Sequence, residues 1–318
     1  MSTITRARPA PLAPEKFQDP LITAKGETRA SVALTNLKTL WLNTGTLCNI
    51  ACEGCYIESS PKNDRLVYIN RAEARSFLDE IAETDIGTTE IGITGGEPFM
   101  NPDILGILED ALTAGFQVLV LTNAMQPLWN KREKLLALQK QLGERLTLRV
   151  SIDHYGPEKH EKLRGENSWD PMIRGLRWLS DHGFTLHVAG RTCWHEGDTV
   201  MRAGFKRLFA QQGLNIDADD PVQCVLFPEM DETCDVPEIT TACWSILDVS
   251  PDDMMCASSR MVVKRKGADA PVVVPCTLLP YDAAFDLGGT LAEADRPIQL
   301  NHPHCARFCV LGGGACSA

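Results

Sequence analysis

The sequence predicts an α/β fold, a partial (β/α)6 barrel of the TIM type followed by a small cysteine-rich domain. Six strand-like segments alternate with helix-like stretches of about 10–15 residues between positions 38 and 230. After residue 230 that alternation fades. Of 12 cysteines, eight fall between Cys224 and Cys316. Strands joined by helices of this length imply right-handed crossovers and a parallel sheet. Periodicity alone leaves a doubly wound open sheet as an alternative, and in both architectures chemistry gathers at the C-terminal ends of the strands.

Residues 1–37, rich in Pro, Thr and Ala, read as an N-terminal extension, an irregular arm or short edge strand. Thr39–Thr44 (TLWLNT) reads as a buried strand and Arg71–Thr84 as a helix with Asn70 as its cap. Thr89–Thr94 is the second strand, and Pro102–Ala114 a helix ended by Gly115. Strand Gln117–Thr122, helix Leu128–Leu142 and strand Leu146–Ile152 follow. Helix Trp169–His182, stopped by Gly183, precedes strand Phe184–Ala189, helix Val200–Gln212 and strand Val222–Phe227. The domains read as 1–37 extension, 38–230 barrel and 231–318 cysteine-rich unit.

The 318 residues are 44% hydrophobic and 23% charged, a composition that supports a sizeable core. The net charge is −11, and the one tight basic run, Lys264–Lys266, reads as a solvated turn. No nucleic-acid partner is expected. No stretch approaches the ~18 apolar residues of a membrane span, and the N-terminus has no apolar core region, so no membrane association and a cytoplasmic location are expected. In that reducing compartment the cysteines read as metal ligands rather than disulfides.

The segment after the first strand is LCNIACEGCYIES, with Cys48, Cys52 and Cys55 spaced C-x3-C-x2-C. At this cysteine frequency the pattern arises by chance about 0.02 times per chain. One such loop can wrap three irons of a four-iron cube, leaving the fourth without a protein ligand. An open position is what a catalytic metal needs and a structural one avoids. A zinc site here lacks a nearby fourth His or Cys.

A C-x3-C-x2-C loop after the first strand, with Tyr56 behind the last cysteine, resembles the radical S-adenosylmethionine (radical SAM) superfamily signature. The resemblance implies a [4Fe–4S] cluster whose open iron chelates S-adenosylmethionine. It also implies reductive cleavage to a 5′-deoxyadenosyl radical that takes hydrogen from a substrate, with the protein supplying orientation and a dry pocket. The Gly95-Gly96-Glu97-Pro98 segment at the end of the second strand resembles the family's second signature, which contacts the methionine amino group. Glycines let the backbone approach closely, and the Glu braces the turn. By the same resemblance Asn123, after the third strand, lines the pocket. Ser151 and Asp153 alternate on the fourth strand and face the ribose and carboxylate. Helix capping is the alternative for Asp153. Arg191, after the fifth strand, would pair with the carboxylate as a bidentate donor.

Cys256 and Cys276 flank MVVKRKGADAPVVV, which reads as a hairpin turning at Gly267–Asp269, and Cys305, Cys309 and Cys316 close the chain. This resembles the twitch or SPASM extensions of radical SAM enzymes, which bind an auxiliary [4Fe–4S] cluster. The spacings x3 and x6 depart from the usual SPASM tail and favour one cluster, on Cys256, Cys276, Cys305 and Cys309. Cys316 is the alternate for Cys305 or Cys309. A second cluster using Cys234 and Cys243 is a further alternative, and zinc on four thiolates is the competing reading. His302 and His304 read as structural.

The expected function is that of a radical SAM oxidoreductase or maturase acting on a small molecule or a peptide or protein side chain, with flavodoxin or ferredoxin as reductant. Fewer than forty residues precede the first barrel strand, so no fused peptide-binding domain is expected. The alternative is an iron–sulfur electron-transfer or sensor protein that does not cleave S-adenosylmethionine.

Overall fold

Regular structure begins with a two-residue strand, β1 (Ser31–Val32), followed by β2 (Thr39–Asn43), buried along its whole length. The structure, a computed structural model, describes residues 10–84 and 86–314. Helix α1 (Arg71–Thr84) starts at a reciprocal cap: Asn70 Oδ1 accepts from Glu73 N–H at 2.9 Å, and Glu73 Oε2 accepts from Asn70 N–H at 3.0 Å. It buries Ala74, Phe77, Leu78 and Ile81, one helical face at 3.6-residue spacing. Removing each of the three larger side chains from water contributes about 1.5–3 kcal/mol.

There follow β3 (Glu90–Thr94), α2 (Ile104–Thr113), β4 (Gln117–Thr122), α3 (Gln126–Leu142) and β5 (Leu146–Asp153). Next come α4 (Pro157–Arg164), α5 (Trp169–Asp181), β6 (Thr185–Arg191), α6 (Asp198–Gln212) and β7 (Cys224–Phe227). Every barrel strand and helix expected from the sequence forms, and no end differs by more than two residues. Helix α4 was not expected. Its sequence PEKHEKLR is short and polar, with no apolar stripe to announce it.

Strands β2 to β7 lie side by side in chain order and pair in parallel. A doubly wound sheet reverses its order at a switch point, and this one does not. That decides between the two architectures in favour of the partial barrel. Inside it, Trp41 stacks against Gly92, its register partner, where an added Cβ would lie 2.4 Å from the indole. Arg149 and His187, paired across β5 and β6, occupy the same interior face.

The C-terminal part contains α7 (Cys243–Leu247), α8 (Met255–Ser258), β8 (Ser259–Val263), β9 (Val272–Val274) and β10 (Ile298–Gln299). The expected hairpin is β8–β9, paired antiparallel, with Gly267 at φ 83° in its turn. Strand β8 also pairs in parallel with β2, so the hairpin extends the barrel sheet to eight strands. The N-terminal extension joins this part too: β1 pairs with β10, and buried Arg29 meets Glu238 at 2.6 Å. The basic run is more than a solvated turn. Lys264 pairs with Glu73, Arg265 with Asp286 and Lys266 with Asp64. Among the described residues no helix is long and apolar enough to cross a membrane.

Candidate functional site

The loop from β2 to α1 is pinned to its surroundings by main-chain hydrogen bonds. Thr44 N–H donates to Thr94 O at 2.8 Å, Cys48 N–H to Ser60 O at 3.1 Å and Glu53 N–H to Leu163 O at 2.7 Å. From the C-terminal part, Tyr281 Oη donates to Ile57 O at 2.5 Å. Cys48 is buried, and Cys52 and Cys55 are half-buried. Burial pushes the Cys48 thiol up to about 12 and raises Cys52 as well, opposed there by the Arg164 charge.

The Gly95-Gly96-Glu97-Pro98 turn runs directly against this loop. Gly96 N–H donates to Gly45 O at 2.8 Å and Glu97 N–H to Leu47 O at 3.2 Å. A Cβ on Gly96 would lie 2.3 Å from Leu47 O, and one on Gly95, at φ 142°, 2.6 Å from Gly45 O. Only glycine permits this approach. Glu97 lies beneath the cleft, 1% exposed. It accepts from Asn123 N–H at 2.8 Å, Thr122 Oγ1 at 2.9 Å and Phe99 N–H at 3.1 Å, and so ties the end of β4 to the turn. Burial raises its carboxyl to about 7 against these donors. Pro98 starts a short 3-10 turn and is buried.

Cys48, Cys52, Cys55, Gly95, Gly96, Asn123, Ser151, Asp153 and Arg191 all border one cleft of about 930 Å³ at the C-terminal ends of the strands. Asn123 Nδ2 donates to Asn49 Oδ1 at 2.9 Å and lies 3.9 Å from Cys48 Sγ. Asp153 is the last residue of β5 and has φ 59°. Ala124, just past β4, has φ 55°. Left-handed backbone at non-glycine residues is strained and concentrates at functional sites. Arg191 donates from Nη1 to Glu53 O at 2.9 Å, and its guanidinium packs over Gly54, so part of its donor capacity is committed to the cysteine loop.

Sequence reasoning missed Arg164. It closes α4 and donates from Nε to Asp153 Oδ2 at 2.8 Å, with side-chain exposures of 13% and 6%. The signal was Pro157 at a helix start and basic residues before Gly165. Arg149, also on the cleft wall, was missed because an interior arginine looks like any other in the sequence.

A second thiol group lies in the C-terminal part. Cys256 on α8, Cys276 after β9, and Cys305 and Cys309 one turn apart on the π-helical segment Cys305–Val310 line one cavity of about 370 Å³. Among the other lining residues, Met254, Met255, Pro275, Leu278, Leu279, Ile298 and Leu300 are apolar, and His304 carries a polar side chain. Burial pushes Cys256 up to about 11 and Cys305 up to about 12. It raises Cys276 well above its ordinary value, and the neighbouring thiols add to that. Arg260, wholly buried, donates to the carbonyls of Cys256 at 2.6 Å and Ala294 at 3.0 Å, and among the described residues no carboxylate forms an ion pair with it. Cys316 lies outside the described residues. Cys234 and Cys243 do not border this cavity. Cys234 donates to Asp231 Oδ2 at 2.9 Å, and Cys243 Sγ accepts from Thr240 N–H at 3.4 Å.

The family profile described as "Radical SAM superfamily" matches residues 42–199. The chain belongs to that superfamily. Radical SAM enzymes use a [4Fe–4S] cluster and S-adenosylmethionine. One relative is the antilisterial bacteriocin subtilosin biosynthesis protein AlbA of Bacillus subtilis, 32% identical over 143 residues, 45% of this chain and 30% of that protein. Another is the AdoMet-dependent heme synthase of Methanosarcina barkeri, 30% identical over 162 residues, 49% of this chain and 43% of that one. This radical SAM chain thus spans less than half the length of either. Streptococcus suis SuiB bound to precursor peptide SuiA shares the fold, with TM-score 0.60 at 12% identity over 83% of this chain and 66% of SuiB.

Proposed function

We propose that this chain is a radical SAM enzyme whose [4Fe–4S] cluster sits on Cys48, Cys52 and Cys55. The observation that carries the reading is the convergence of the three thiols with Gly95, Gly96, Asn123, Ser151 and Asp153 on one cleft. With three local thiols, one iron stays open to an exchangeable ligand. Such a cluster, with S-adenosylmethionine bound, supplies the reductive cleavage that generates a 5′-deoxyadenosyl radical.

The chain's own residues bind and orient. Carbonyls of the Gly95–Gly96 turn accept from the amino group. Ser151 and Asp153 hold the ribose and carboxylate side of the pocket. Arg164 aims the Asp153 carboxylate, and Arg191 clamps the cysteine loop. Glu97 fixes the turn from below.

Residues 38–230 act as the barrel and 231–318 as the auxiliary-cluster unit, with Cys256, Cys276, Cys305 and Cys309 as ligands of a second [4Fe–4S] cluster. Their apolar cavity, with buried Arg260 beside it, suits a bulky anion. Zinc fits less well. Thiolates ~2.3 Å from one zinc lie about 3.8 Å apart. Among the described residues the one group of metal-type donors within 4.8 Å of one another is Glu232, His302 and His304, with no cysteine in it.

The substrate is a small molecule or a peptide or protein side chain. Similarity to a bacteriocin biosynthesis protein supports a peptide. A one-electron donor such as flavodoxin or ferredoxin completes the system.

The test is anaerobic reconstitution with iron and sulfide counts per chain, and 5′-deoxyadenosine release from S-adenosylmethionine under dithionite, for the wild type and a Cys48/Cys52/Cys55→Ala variant. About eight irons falling to about four, with cleavage abolished, is the expected result. Four falling to none would remove the auxiliary cluster from the reading. Iron retained without cleavage in the wild type would make the protein an electron carrier or sensor, and cleavage surviving the triple substitution would overturn the assignment.

A further inference from the structure

The C-terminal cavity has one side chain whose hydrogen-bonding capacity nothing in the fold uses. His304 lines it, is 5% exposed, and its Nδ1 is buried without a hydrogen-bond partner. A buried polar atom left unpaired loses its solvation with nothing in exchange, so such an atom usually has a partner. The other end of the ring places no claim on its proton. Nε2 stands 3.7 Å from Glu232 Oε2, beyond hydrogen-bond reach.

Neighbouring His302 takes up that carboxylate instead. His302 Nδ1 accepts from His304 N–H at 3.1 Å, which puts the His302 ring proton on Nε2, 3.4 Å from Glu232 Oε2. The same arrangement argues against a separate metal ion between Glu232, His302 and His304. The Nε2 that would have to ligate it carries the proton.

We propose that His304 donates Nδ1–H to a sulfur of the auxiliary cluster or of a ligating thiolate, and is a positioning residue that raises the cluster's reduction potential. The inference rests on the auxiliary-cluster reading above. The cavity has four thiols, with Arg260 and Arg29 as buried charges nearby, but apart from His304 its lining side chains are apolar or thiol. A hydrogen bond to sulfur draws electron density from the cluster and favours its reduced form. In such an apolar setting a single donor carries more weight than it would in water.

The experiment uses the Cys48/Cys52/Cys55→Ala full-length chain, reconstituted anaerobically, so that the auxiliary cluster is the one observed. Its midpoint potential is followed by EPR-monitored redox titration with His304 intact, as His304→Leu and as His304→Asn, with iron and zinc counted in each. The expected result is about four irons in all three, a lower potential in the Leu variant, and return towards the parent value in the Asn variant, which restores an N–H near the same place. An unchanged potential at full iron content would overturn the proposal and leave the cluster assignment standing. Loss of iron in both variants would make His304 a ligand or a structural residue instead. Zinc lost on substitution, with iron unchanged, would place a metal at the histidines and overturn it. No iron in the parent would overturn both this inference and the auxiliary-cluster reading.

Discussion

Two groups of cysteines sit in one continuous fold, and their surroundings differ in kind. At the top of the barrel two of three thiols are half-exposed, and they share a cleft with Asn123, Asp153, Arg164 and Arg191. In the C-terminal cavity three of four are buried, and the lining is apolar apart from His304. The first arrangement leaves room for a polar ligand beside the thiols. The second encloses whatever it holds and limits exchange. A site that must bind and release a polar cofactor keeps charged groups in contact with water, whereas one that only stores electrons benefits from exclusion of water.

The largest expected way to break that contrast is Gly96→Ala. A methyl there meets main-chain oxygen at 2.3 Å with the turn hydrogen-bonded on both sides, so the backbone itself must move. Overpacking of this sort costs about 1–3 kcal/mol. The functional loss should be larger, because the displaced atoms carry Cys48. Cleavage of S-adenosylmethionine should vanish while the auxiliary iron remains, as read by iron counts and 5′-deoxyadenosine release. Arg164→Ala should come next. It leaves Asp153, 6% exposed, as a buried carboxylate without its partner, and losses of about 3–5 kcal/mol are typical of that change. A double-mutant cycle with Asp153→Ala should recover much of the loss in thermal stability. Additive effects would mean that the pair does not act as a unit.

What the sequence disclosed follows the range over which each feature is determined. Cys48, Cys52 and Cys55 are spaced within one loop, and the Gly95–Pro98 turn within another, so both were readable locally. The strand and helix alternation was readable for the same reason. Arg164 was not, because its helix is too polar and short to leave a periodic mark, and its partner Asp153 lies across a turn. The parallel pairing of β8 with β2 joins residues over two hundred positions apart, and no local pattern encodes such a register. The burial of Arg260 is likewise settled by what packs over it.

A pH series tests one residue beside the barrel cleft, isolated by comparing the wild type with His160→Phe. His160 on α4 is wholly buried, and its Nδ1 contacts the Ile152 carbonyl, one residue before Asp153. Burial lowers its pKa from 6.5 to about 4, against that carbonyl contact. The fold therefore favours the neutral ring. Its stabilising share is present above 6.5 and is lost as the pH falls from there through 4, amounting to about 3 kcal/mol once both states are charged. The thermal midpoint of the wild type should fall between pH 7 and pH 5 more steeply than that of His160→Phe. Parallel slopes would mean that the ring is not the titrating group.

The smallest effect is expected at the basic run, which touches both regions without belonging to either. Lys266 meets Asp64 at 2.6 Å with side-chain exposures of 64% and 47%. Exposed pairs of this kind contribute little, since water solvates both charges nearly as well apart as together. Lys266→Ala should shift the thermal midpoint by little and leave both iron count and cleavage as they were. The main-chain bond from Lys266 N–H to Arg65 O, at 2.9 Å, holds the segment in place and survives the substitution. A large loss of cleavage would mean that the side chain, rather than this backbone contact, couples the hairpin to the segment that follows the cysteine loop.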